Sequence, residues 1–391
     1  MASLSKEERL ALIKENLEEH LNIEIIEDIL AQGRDPKIYW GTATTGRPHI
    51  GYFVPALKIA QFLAAGCELT ILLADIHGFL DNLKAPIEIV QYRAQYYQHV
   101  IKSILKAVGV PTEKLRFILG SEFQKGPDYI MDIYKLTSLT SEHDARKAGA
   151  EVVKQTDNAP LSGLLYPLLQ ALDEEYLGCD AQFGGTDQRK IFTLAKDVLP
   201  KIGYKQRAHL MNPMIPGLQG AKMSSSEPAS SDSKIDLLDS AEAVAKKLRK
   251  AEAVPKVPDG NGIIAFIEYV LLPASKLKTG RQEFHVERER DGLEPLVYND
   301  IAKLREDYKN DVLTPQLLKP ATTKALLELL TPIQAEFEAS KEWQEVTEKA
   351  YPPEEKKKKE KKVKNKGTRH PGAAGNAPAE TLPERPKETM A

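Results

Sequence analysis

The chain has 391 residues, of which 42% are hydrophobic and 28% charged, and its formal net charge at pH 7 is −2. This composition indicates a soluble globular protein of two or three domains, and no apolar run reaches the length of a membrane span, so no membrane partner is expected. Its two cysteines, Cys67 and Cys179, are too few for a disulfide framework or a metal cluster. We therefore expect a reducing compartment, with both thiols packed as small apolar groups.

The first predicted element is a helix at the N-terminus. Ser5 and Glu8 form the pattern of a capping box ahead of Leu10, Ile13 and Leu17. The segment is acidic, which is unlike a signal peptide or an Arg-rich transit peptide. The sequence has no Walker A, GxGxxG or HExxH pattern, so its chemistry must be sought in other motifs.

A strand, a turn and a helix are predicted next. The strand formers at residues 38–40 lead into a threonine-rich turn between Gly41 and Gly46. Thr45 is predicted to cap the following helix, and Pro48 to occupy its first turn. Free N–H groups at such a helix start bind phosphate, so this unit is either a nucleotide site or an ordinary βα turn.

Strands and helices then alternate to about residue 230. The further predicted strands cover residues 67–76, 115–119, 180–183 and 208–214, and the longer predicted helices cover 87–108, 164–177 and 189–199. This βαβα order is typical of an α/β, Rossmann-like, doubly wound parallel sheet with helices on both faces. Ligands of such sheets bind at the carboxyl ends of the strands.

The pattern becomes mainly helical after about residue 231. Predicted helices cover residues 236–251, 262–272, 298–308 and 315–337, and a small strand pair is expected within 279–297. We expect three parts: an α/β domain over 1–230 that includes the N-terminal helix, a helical domain over 231–350, and a tail over 351–391.

The tail is rich in lysine, glutamate, proline and glycine and is expected to be disordered. Nine basic residues and one acid lie between Lys356 and Arg369. This stretch carries a charge of +8, so the remaining chain carries −10. The nearly neutral net charge of the chain thus combines a basic arm, residues 356–369, with an acidic remainder, the body.

Three short motifs occur in order: Pro48-His49-Ile50-Gly51, Gly184-Gly185-Thr186-Asp187-Gln188 and Lys222-Met223-Ser224-Ser225-Ser226. The first and third resemble the two signatures of class I aminoacyl-tRNA synthetases, and the second is similar to the pattern of the tyrosine and tryptophan branch. Each motif is weak alone, but their order and spacing are specific together. The resemblance covers about residues 5 to 350. Tyr52 and Ser225 replace a histidine and a lysine of the usual signatures, as they do in eukaryotic cytoplasmic members of the tyrosine branch.

The resemblance implies a two-step ligase reaction. L-tyrosine and ATP, with Mg²⁺, give tyrosyl-adenylate and pyrophosphate, and the tyrosyl group then passes to the 3′ end of tRNA(Tyr); no permanent cofactor or protein metal site is implied. It also implies a homodimer in the cytoplasm. The basic tail is expected either to add sequence-independent affinity for RNA or to act as a nuclear address that gives a nuclear pool.

The first step requires positioned phosphates and stabilised charge rather than a protein nucleophile. The catalytic residues implied by the resemblance are Thr44, Thr45, His49 and Lys222. The implied ATP-binding residues are Gly41, Thr42, Gly46, Pro48, Gly51, Asp187, Met223, Ser224, Ser225 and Ser226. Lys222 has the alternative of a solvated loop lysine, and Asp187, which the resemblance assigns to the ribose, has the alternative of a helix cap.

Three polar residues, Tyr166, Gln170 and Asp173, share one face of the predicted helix 164–177. Such a stripe is costly inside a protein without partners, and its alternative is a solvated acidic stripe that continues into residues 174–175. By resemblance, Tyr166, Gln170 and Gln188 hold the amino group of tyrosine, and Tyr39 and Asp173 bond its phenol. The remaining pocket residues implied are Leu72, His77, Phe123, Gln124 and Leu177, where His77 alone is also typical of a structural histidine.

The helical domain is implied to bind the anticodon. Its basic residues Lys246, Lys247, Arg249 and Lys250 either touch phosphates or form a solvated face. Three other functions stay open from the sequence: the tryptophan branch of the same family, another nucleotidyltransferase of this fold, and a non-catalytic RNA-binding or signalling protein derived from a synthetase.

Overall fold

The computed structural model describes residues 4–81, 85–110, 112, 115–153, 160–220, 231–288 and 292–352. Within these residues the strands are β1 (Glu19–Leu21), β2 (Lys37–Ala43), β3 (Glu68–Ala74), β4 (Leu115–Leu119), β5 (Ala181–Gly185), β6 (Ala208–Asn212), β7 (Phe284–Val286) and β8 (Leu296–Tyr298). The α-helices are α1 (Lys6–Lys14), α2 (Glu24–Ala31), α3 (Phe53–Ala64), α4 (Asp75–Leu80), α5 (Ile87–Ala107), α6 (Gly120–Phe123), α7 (Pro127–Leu139), α8 (Glu142–Ala148), α9 (Ser162–Tyr176), α10 (Arg189–Val198), α11 (Ala241–Lys250), α12 (Gly262–Phe266), α13 (Leu272–Thr279), α14 (Ile301–Lys309), α15 (Pro315–Ala339) and α16 (Lys341–Ala350).

The described residues form a six-stranded sheet in the order β1-β6-β5-β2-β3-β4. Strands β2 to β6 pair in parallel, which confirms the predicted Rossmann-like α/β fold. The edge strand β1, which the sequence patterns do not predict, pairs antiparallel with β6. The chain winds outward from β2 to β4 and then returns to the other side of β2 at β5. This reversal opens a crevice at the carboxyl ends of β2 and β5, where such sheets bind ligands.

The turn after β2 differs from its prediction. His49 rather than Thr45 provides the cap, because its imidazole Nδ1 accepts a hydrogen bond from the Gly51 N–H at 3.1 Å. The backbone around His49 is extended and forms a bridge with Asp236. The regular helix α3 therefore begins only at Phe53, after one 3₁₀ turn, and Pro48 lies before it rather than in its first turn.

Side-chain caps also determine where two helices after residue 231 begin. The Ser240 hydroxyl accepts from the Ala243 N–H, so α11 begins five residues later than the predicted 236. The Asp300 carboxylate accepts from the Lys303 N–H at 2.9 Å, so α14 begins after the strand that ends at Tyr298. The expected small strand pair is present as β7 and β8.

The described residues up to Pro352 belong to one compact unit. One hydrophobic core includes side chains from the sheet, from α5 and from α15 and α16. The Lys106 ammonium on α5 lies 2.7 Å from the Glu336 carboxylate on α15, so the helical part is fixed directly to the sheet layer. The division at residue 230 stays a prediction, and the predicted disordered tail lies outside the described residues. None of the helices in the described ranges has the length and hydropathy needed to cross a membrane.

Candidate active site

A cavity of about 350 Å³ lies in the crevice at the carboxyl ends of the strands. Residues of β2, β3, β5 and β6 line it, together with the loop after β2 and one face of α9. The site thus combines the first two predicted motifs, which are far apart in sequence but adjacent at the point where the sheet reverses.

Most of the predicted site residues line this cavity. Those that do so are Tyr39, Gly41, Thr42, Thr45, His49, Gly51, Leu72, His77, Tyr166, Gln170, Asp173, Asp187 and Gln188. Those that do not are Thr44, Gly46, Pro48, Phe123, Gln124 and Leu177. The third motif, Lys222, Met223, Ser224, Ser225 and Ser226, lies outside the described residues.

The loop after β2 is held by side chains that do not line the cavity. The hydroxyls of Tyr97 and Tyr351 both donate to the Gly46 carbonyl, at 2.8 and 2.7 Å. The Arg93 guanidinium donates to the Thr45 carbonyl. These bonds fix the backbone, and they explain why Gly46 does not face the cavity.

Thr44 is fully buried behind the site. It packs against Gly78, where an added Cβ would lie 3.0 Å from the Thr44 hydroxyl oxygen. Thr45 and His49 are the two predicted catalytic residues of this loop that line the cavity. Because His49 Nδ1 accepts from Gly51, the proton of a neutral imidazole is on Nε2.

The polar face of α9 lines the cavity as predicted. The Gln170 side-chain amide donates to the Gln188 side-chain oxygen at 2.9 Å, which joins α9 to the turn after β5. The Tyr39 hydroxyl lies 3.4 Å from the Gln170 carbonyl, a long contact that leaves the hydroxyl available to a better partner. These residues bring hydrogen-bonding groups to one wall of the cavity.

The alternative of a solvated acidic stripe at residues 173–175 is wrong. Asp173 and Glu174 are both fully buried. Glu174 lies 2.7 Å from the ring Nε2 of His209, and Glu175 is paired with the Arg207 guanidinium. Buried carboxylates require partners of this kind, since an isolated charge is costly in a protein interior.

Asp173 is the buried acid that faces the cavity. Its Oδ1 accepts from the Gln124 amide at 2.7 Å and from the Tyr129 hydroxyl at 2.8 Å, whereas its Oδ2 has no hydrogen-bond partner among the described residues. Burial raises the pKa of Asp173 to about 8, and the two donors act in the opposite direction. The acid therefore presents one unpaired oxygen beside a cavity.

His77 lies beside this oxygen, with Nε2 3.9 Å from Asp173 Oδ2. Burial lowers the pKa of His77 to about 4, so the imidazole is neutral at pH 7 and no ion pair forms. Its ring meets the Tyr166 ring edge-on at 4.6 Å between centroids. His77 thus lines the cavity, and both of its buried ring nitrogens lack a hydrogen-bond partner among the described residues, which does not support the alternative of a satisfied structural histidine.

Gly185, the last residue of β5, lies close to two neighbouring side chains. A Cβ added to Gly185 would lie 2.6 Å from Asp187 Oδ1 and 2.7 Å from the sulfur of Met214. Asp187 lines the cavity at this narrow point. The N-cap residue of the following helix α10 is Gln188, whose side chain makes no capping hydrogen bond.

Several lining residues were absent from the predicted site, and two of them have buried polar side chains. Gln182 on β5 and Asn212 at the end of β6 are buried, and each has a side-chain atom without a hydrogen-bond partner among the described residues. The strand register pairs Gln182 with Tyr39, so both lie on the same face of the sheet. Their position at the ends of strands beside the reversal was the signal that could have identified them.

The basic residues of α11 are partly engaged within the protein. Lys247 and Lys250 each lie 2.7 Å from a carboxylate oxygen, of Asp239 and Asp232 respectively. These two lysines are therefore less available to RNA phosphates than the sequence alone indicates.

Comparison with known proteins identifies relatives along most of the chain. A family model described as class I tRNA synthetases (W and Y) matches residues 31–331. The chain is 52% identical over 378 residues to the cytoplasmic tyrosine–tRNA ligase of Saccharomyces cerevisiae, with 95% of each chain covered.

Other relatives differ in length or are known as structures. The cytoplasmic tyrosine–tRNA ligase of Danio rerio is 51% identical over 349 residues, which cover 89% of this chain but 64% of that protein. The tyrosyl-tRNA synthetase of Archaeoglobus fulgidus, solved with L-tyrosine, is similar with a TM-score of 0.76 and 34% identity. That match covers 85% of this chain and 99% of the solved one.

Proposed function

The chain belongs to the class I aminoacyl-tRNA synthetases of the tryptophan and tyrosine family, and from this premise we propose that it is a tyrosine–tRNA ligase. It activates L-tyrosine with ATP and transfers the tyrosyl group to tRNA(Tyr). The observation that carries the choice of amino acid is the buried pair of Tyr39 and Asp173 at one cavity.

A phenol suits this pair better than an indole does. A phenolic hydroxyl both donates and accepts, so it satisfies the unpaired Asp173 Oδ2 and the Tyr39 hydroxyl together. Burial raises the pKa of Tyr39 well above its usual value, so Tyr39 keeps its proton and is able to donate. An indole N–H only donates, which would leave the Tyr39 hydroxyl buried and poorly paired.

The amino group of the substrate is assigned to the other end of the polar face. Tyr166, Gln170 and Gln188 line the same cavity, and the amide contact between the two glutamines holds their side chains in place. An ammonium group donates three hydrogen bonds, which matches a set of hydroxyl and amide oxygens.

The nucleotide is assigned to the loop after β2 and the turn after β5. His49 and Thr45 would face the phosphates, and Asp187 would accept from the ribose hydroxyls. Lys222 and residues 223–226, which lie outside the described residues, are proposed to bind the pyrophosphate on the strength of the sequence motif alone. The described residues contain no group of three or more metal-ligating side chains, so Mg²⁺ is proposed to be held chiefly by the ATP phosphates.

A homodimer is proposed on the basis of an exposed apolar surface. Helix α7 leaves Ile130, Met131 and Tyr134 at 37%, 54% and 61% exposure. Adjacent exposed apolar side chains of this size are typical of protein interfaces. Light scattering of the purified protein would test this, because a monomer at micromolar concentration contradicts it.

The tail is proposed to act outside the catalytic reaction. Its basic residues lie outside the described part of the chain, so the proposal rests on composition. It would add salt-dependent affinity for tRNA or serve as a nuclear address for a minor pool of a cytoplasmic enzyme. The relatives from Saccharomyces cerevisiae and Danio rerio are named as cytoplasmic proteins.

The activity is tested by ATP–pyrophosphate exchange with each of the twenty amino acids. We expect exchange to depend on tyrosine, with tryptophan and phenylalanine far weaker, and we expect charging of tRNA(Tyr) in the presence of tyrosine and ATP. Exchange that prefers tryptophan would favour the other branch of the family. Adenylate formation without transfer to any tRNA would contradict the ligase assignment.

A further inference from the structure

Asp173 is held by two side chains that do not line the cavity. Gln124 and Tyr129 approach it from the region of α6 and from α7, and both donate to the same oxygen, Oδ1. Both donors are almost completely buried, at 3% and 1% exposure. The other oxygen, Oδ2, is left for the cavity.

Hydrogen bonds to one carboxylate oxygen restrict rotation of the whole group. With Oδ1 held by two donors, the plane and direction of the Asp173 carboxylate are fixed before any ligand binds. The two donors also favour the ionised acid and oppose the effect of burial on its pKa. An oriented anion accepts a phenolic proton at a lower cost in free energy than a mobile or protonated group does.

The surroundings of the two donors maintain this arrangement. A Cβ added to Gly120 would lie 2.7 Å from the side-chain oxygen of Gln124, so the glycine leaves room for the amide. The Tyr129 ring packs edge-on against Phe123 and Tyr176, at 5.6 and 4.8 Å between centroids. Both donors are thus confined to positions from which they reach Asp173.

The Tyr129 hydroxyl has a second acceptor nearby, the Leu169 carbonyl at 3.0 Å. It has one proton, and the carboxylate is both closer and charged. The hydroxyl proton is therefore directed to Asp173 when the acid is ionised.

We propose that Tyr129 and Gln124 are positioning residues that orient the carboxyl group of Asp173, and that they determine the preference for tyrosine over phenylalanine without touching the substrate. This inference rests on the proposed function. Phenylalanine has no hydroxyl to use the oriented oxygen, so only the tyrosine reaction depends on the two donors. Gln124, expected to line the pocket, would instead act from behind it.

The test replaces Tyr129 by phenylalanine, which removes one oxygen and leaves the ring packing. We expect kcat/KM for tyrosine in ATP–pyrophosphate exchange to fall about tenfold, chiefly through KM, with kcat/KM for phenylalanine nearly unchanged. Gln124→Met is expected to act in the same direction, and the double variant to lose more than either alone.

Tyr176→Phe is the matched control. Its ring contacts that of Tyr129, but its hydroxyl donates to Asp132 at 2.8 Å and not to Asp173. This variant also removes one phenolic oxygen from the same aromatic cluster. The ratio of kcat/KM for tyrosine to that for phenylalanine should not change. A loss of discrimination in both tyrosine variants would mean general loosening of the cluster and would contradict the inference.

The pH profile adds a readout that packing alone would not move. Tyr39, His77, Tyr129 and the adjacent Glu174 are the titratable groups that face Asp173 from β2, α4, α7 and α9. Losing the Tyr129 donor should shift the acidic limb of kcat/KM for tyrosine to higher pH, because the carboxyl then holds its proton more tightly. If the acidic limb does not shift and kcat/KM falls equally for tyrosine and phenylalanine, this inference is overturned while the proposed function stands. No tyrosine-dependent exchange in the wild-type protein would instead contradict the proposed function.

Discussion

At the scale of single residues, the preference for one amino acid depends on a few buried oxygens. Asp173 Oδ2 and the Tyr39 hydroxyl lie at one cavity without strong protein partners. A ligand that cannot bond them leaves buried polar groups unpaired, which costs about 1–3 kcal/mol for each group. The proposed site therefore predicts that phenylalanine is rejected because of unmet hydrogen bonds and not because of poor fit.

Tyr39→Phe tests this claim because it removes one oxygen and almost no volume. The ratio of kcat/KM for tyrosine to that for phenylalanine should fall by roughly ten- to a hundredfold. Steady-state pyrophosphate exchange with both amino acids measures it. An unchanged ratio, with normal tyrosine activation, would mean that Tyr39 does not bond the phenol.

The buried acid also predicts a pH dependence of stability. The pKa of Asp173 rises from 3.8 to about 8 on folding, so between these values the folded state binds a proton that the unfolded state lacks. The free energy of unfolding therefore falls as pH rises through this range. The pKa of His77 falls from 6.5 to about 4, so this group makes the free energy of unfolding rise with pH between pH 4 and 6.5. Above about pH 6.5 only the contribution of Asp173 is left.

We expect Asp173→Asn to remove that decline. Between pH 6.5 and 8 the stability of the wild-type protein, relative to the variant, should fall by about 2 kcal/mol. Urea unfolding at several pH values measures this change.

Asp132→Asn is the control. Burial acts to raise the pKa of Asp132, but hydrogen bonds from Lys135, Tyr204 and Tyr176 hold that pKa below its usual value. Its relative stability should not change over this interval, and an equal change in both variants would exclude Asp173 as the source.

Much of the site could be predicted at this scale because its residues follow local rules. Tyr166, Gln170 and Asp173 repeat at helical spacing, and the helix indeed turns this face to the cavity. No sequence pattern indicated Tyr129. It is 44 positions from Asp173 in the chain, and the two side chains meet because α7 packs against α9. Contacts of this kind depend on tertiary packing, which periodicity does not report.

At the scale of elements, helix α1 shows how one buried charge attaches a segment that has little core of its own. Its one fully buried side chain is Ile13. The Lys58 ammonium on α3, only 3% exposed, donates to the Leu12 and Glu15 carbonyls at 2.9 and 2.6 Å. These are carbonyls of the last turn, which otherwise lack partners.

Lys58→Met should therefore loosen α1 selectively. The amides of α1 should exchange with deuterium about tenfold faster, while those of β2 and β3 are unchanged. Mass spectrometry of peptides from the native protein measures this. Lys276→Met is the control, because Lys276 reaches Glu15 at 3.6 Å from an exposed position. Equal acceleration in both variants would contradict the role of the buried ammonium.

The elements themselves were predictable in proportion to their length and periodicity. The apolar β3 and the long α5 appear close to their predicted bounds. The three-residue β1 was missed because its pairing with β6 is what makes it a strand. Helix α16 is absent from the predicted elements although Trp343, Val346 and Ala350 recur at helical spacing and are buried.

At the scale of the whole molecule, a catalytic body is joined to an arm of opposite charge. Residues 1–352 carry a formal charge of −7, and the stretch from Lys356 to Arg369 carries +8. Tyr351 marks the practical boundary, because its hydroxyl donates to the Gly46 carbonyl beside the site at 2.7 Å. A truncation that removes the arm must therefore keep residues up to Pro352.

Removing residues 353–391 should separate the two activities. Tyrosine-dependent exchange should be unchanged, while tRNA affinity should fall and depend less steeply on salt, since fewer phosphate counterions are released. Filter binding over a range of salt concentrations measures the slope. If the truncated protein lost exchange, the arm would belong to the catalytic fold.

The most direct measurement is a crystal structure of the protein with L-tyrosine. The proposed function predicts that the phenolic oxygen lies within about 3 Å of both the Tyr39 hydroxyl and Asp173 Oδ2, with the amino group toward Tyr166, Gln170 and Gln188. Tyrosine bound in the reverse direction, or with its phenol touching neither Tyr39 nor Asp173, would contradict the assignment of this cavity.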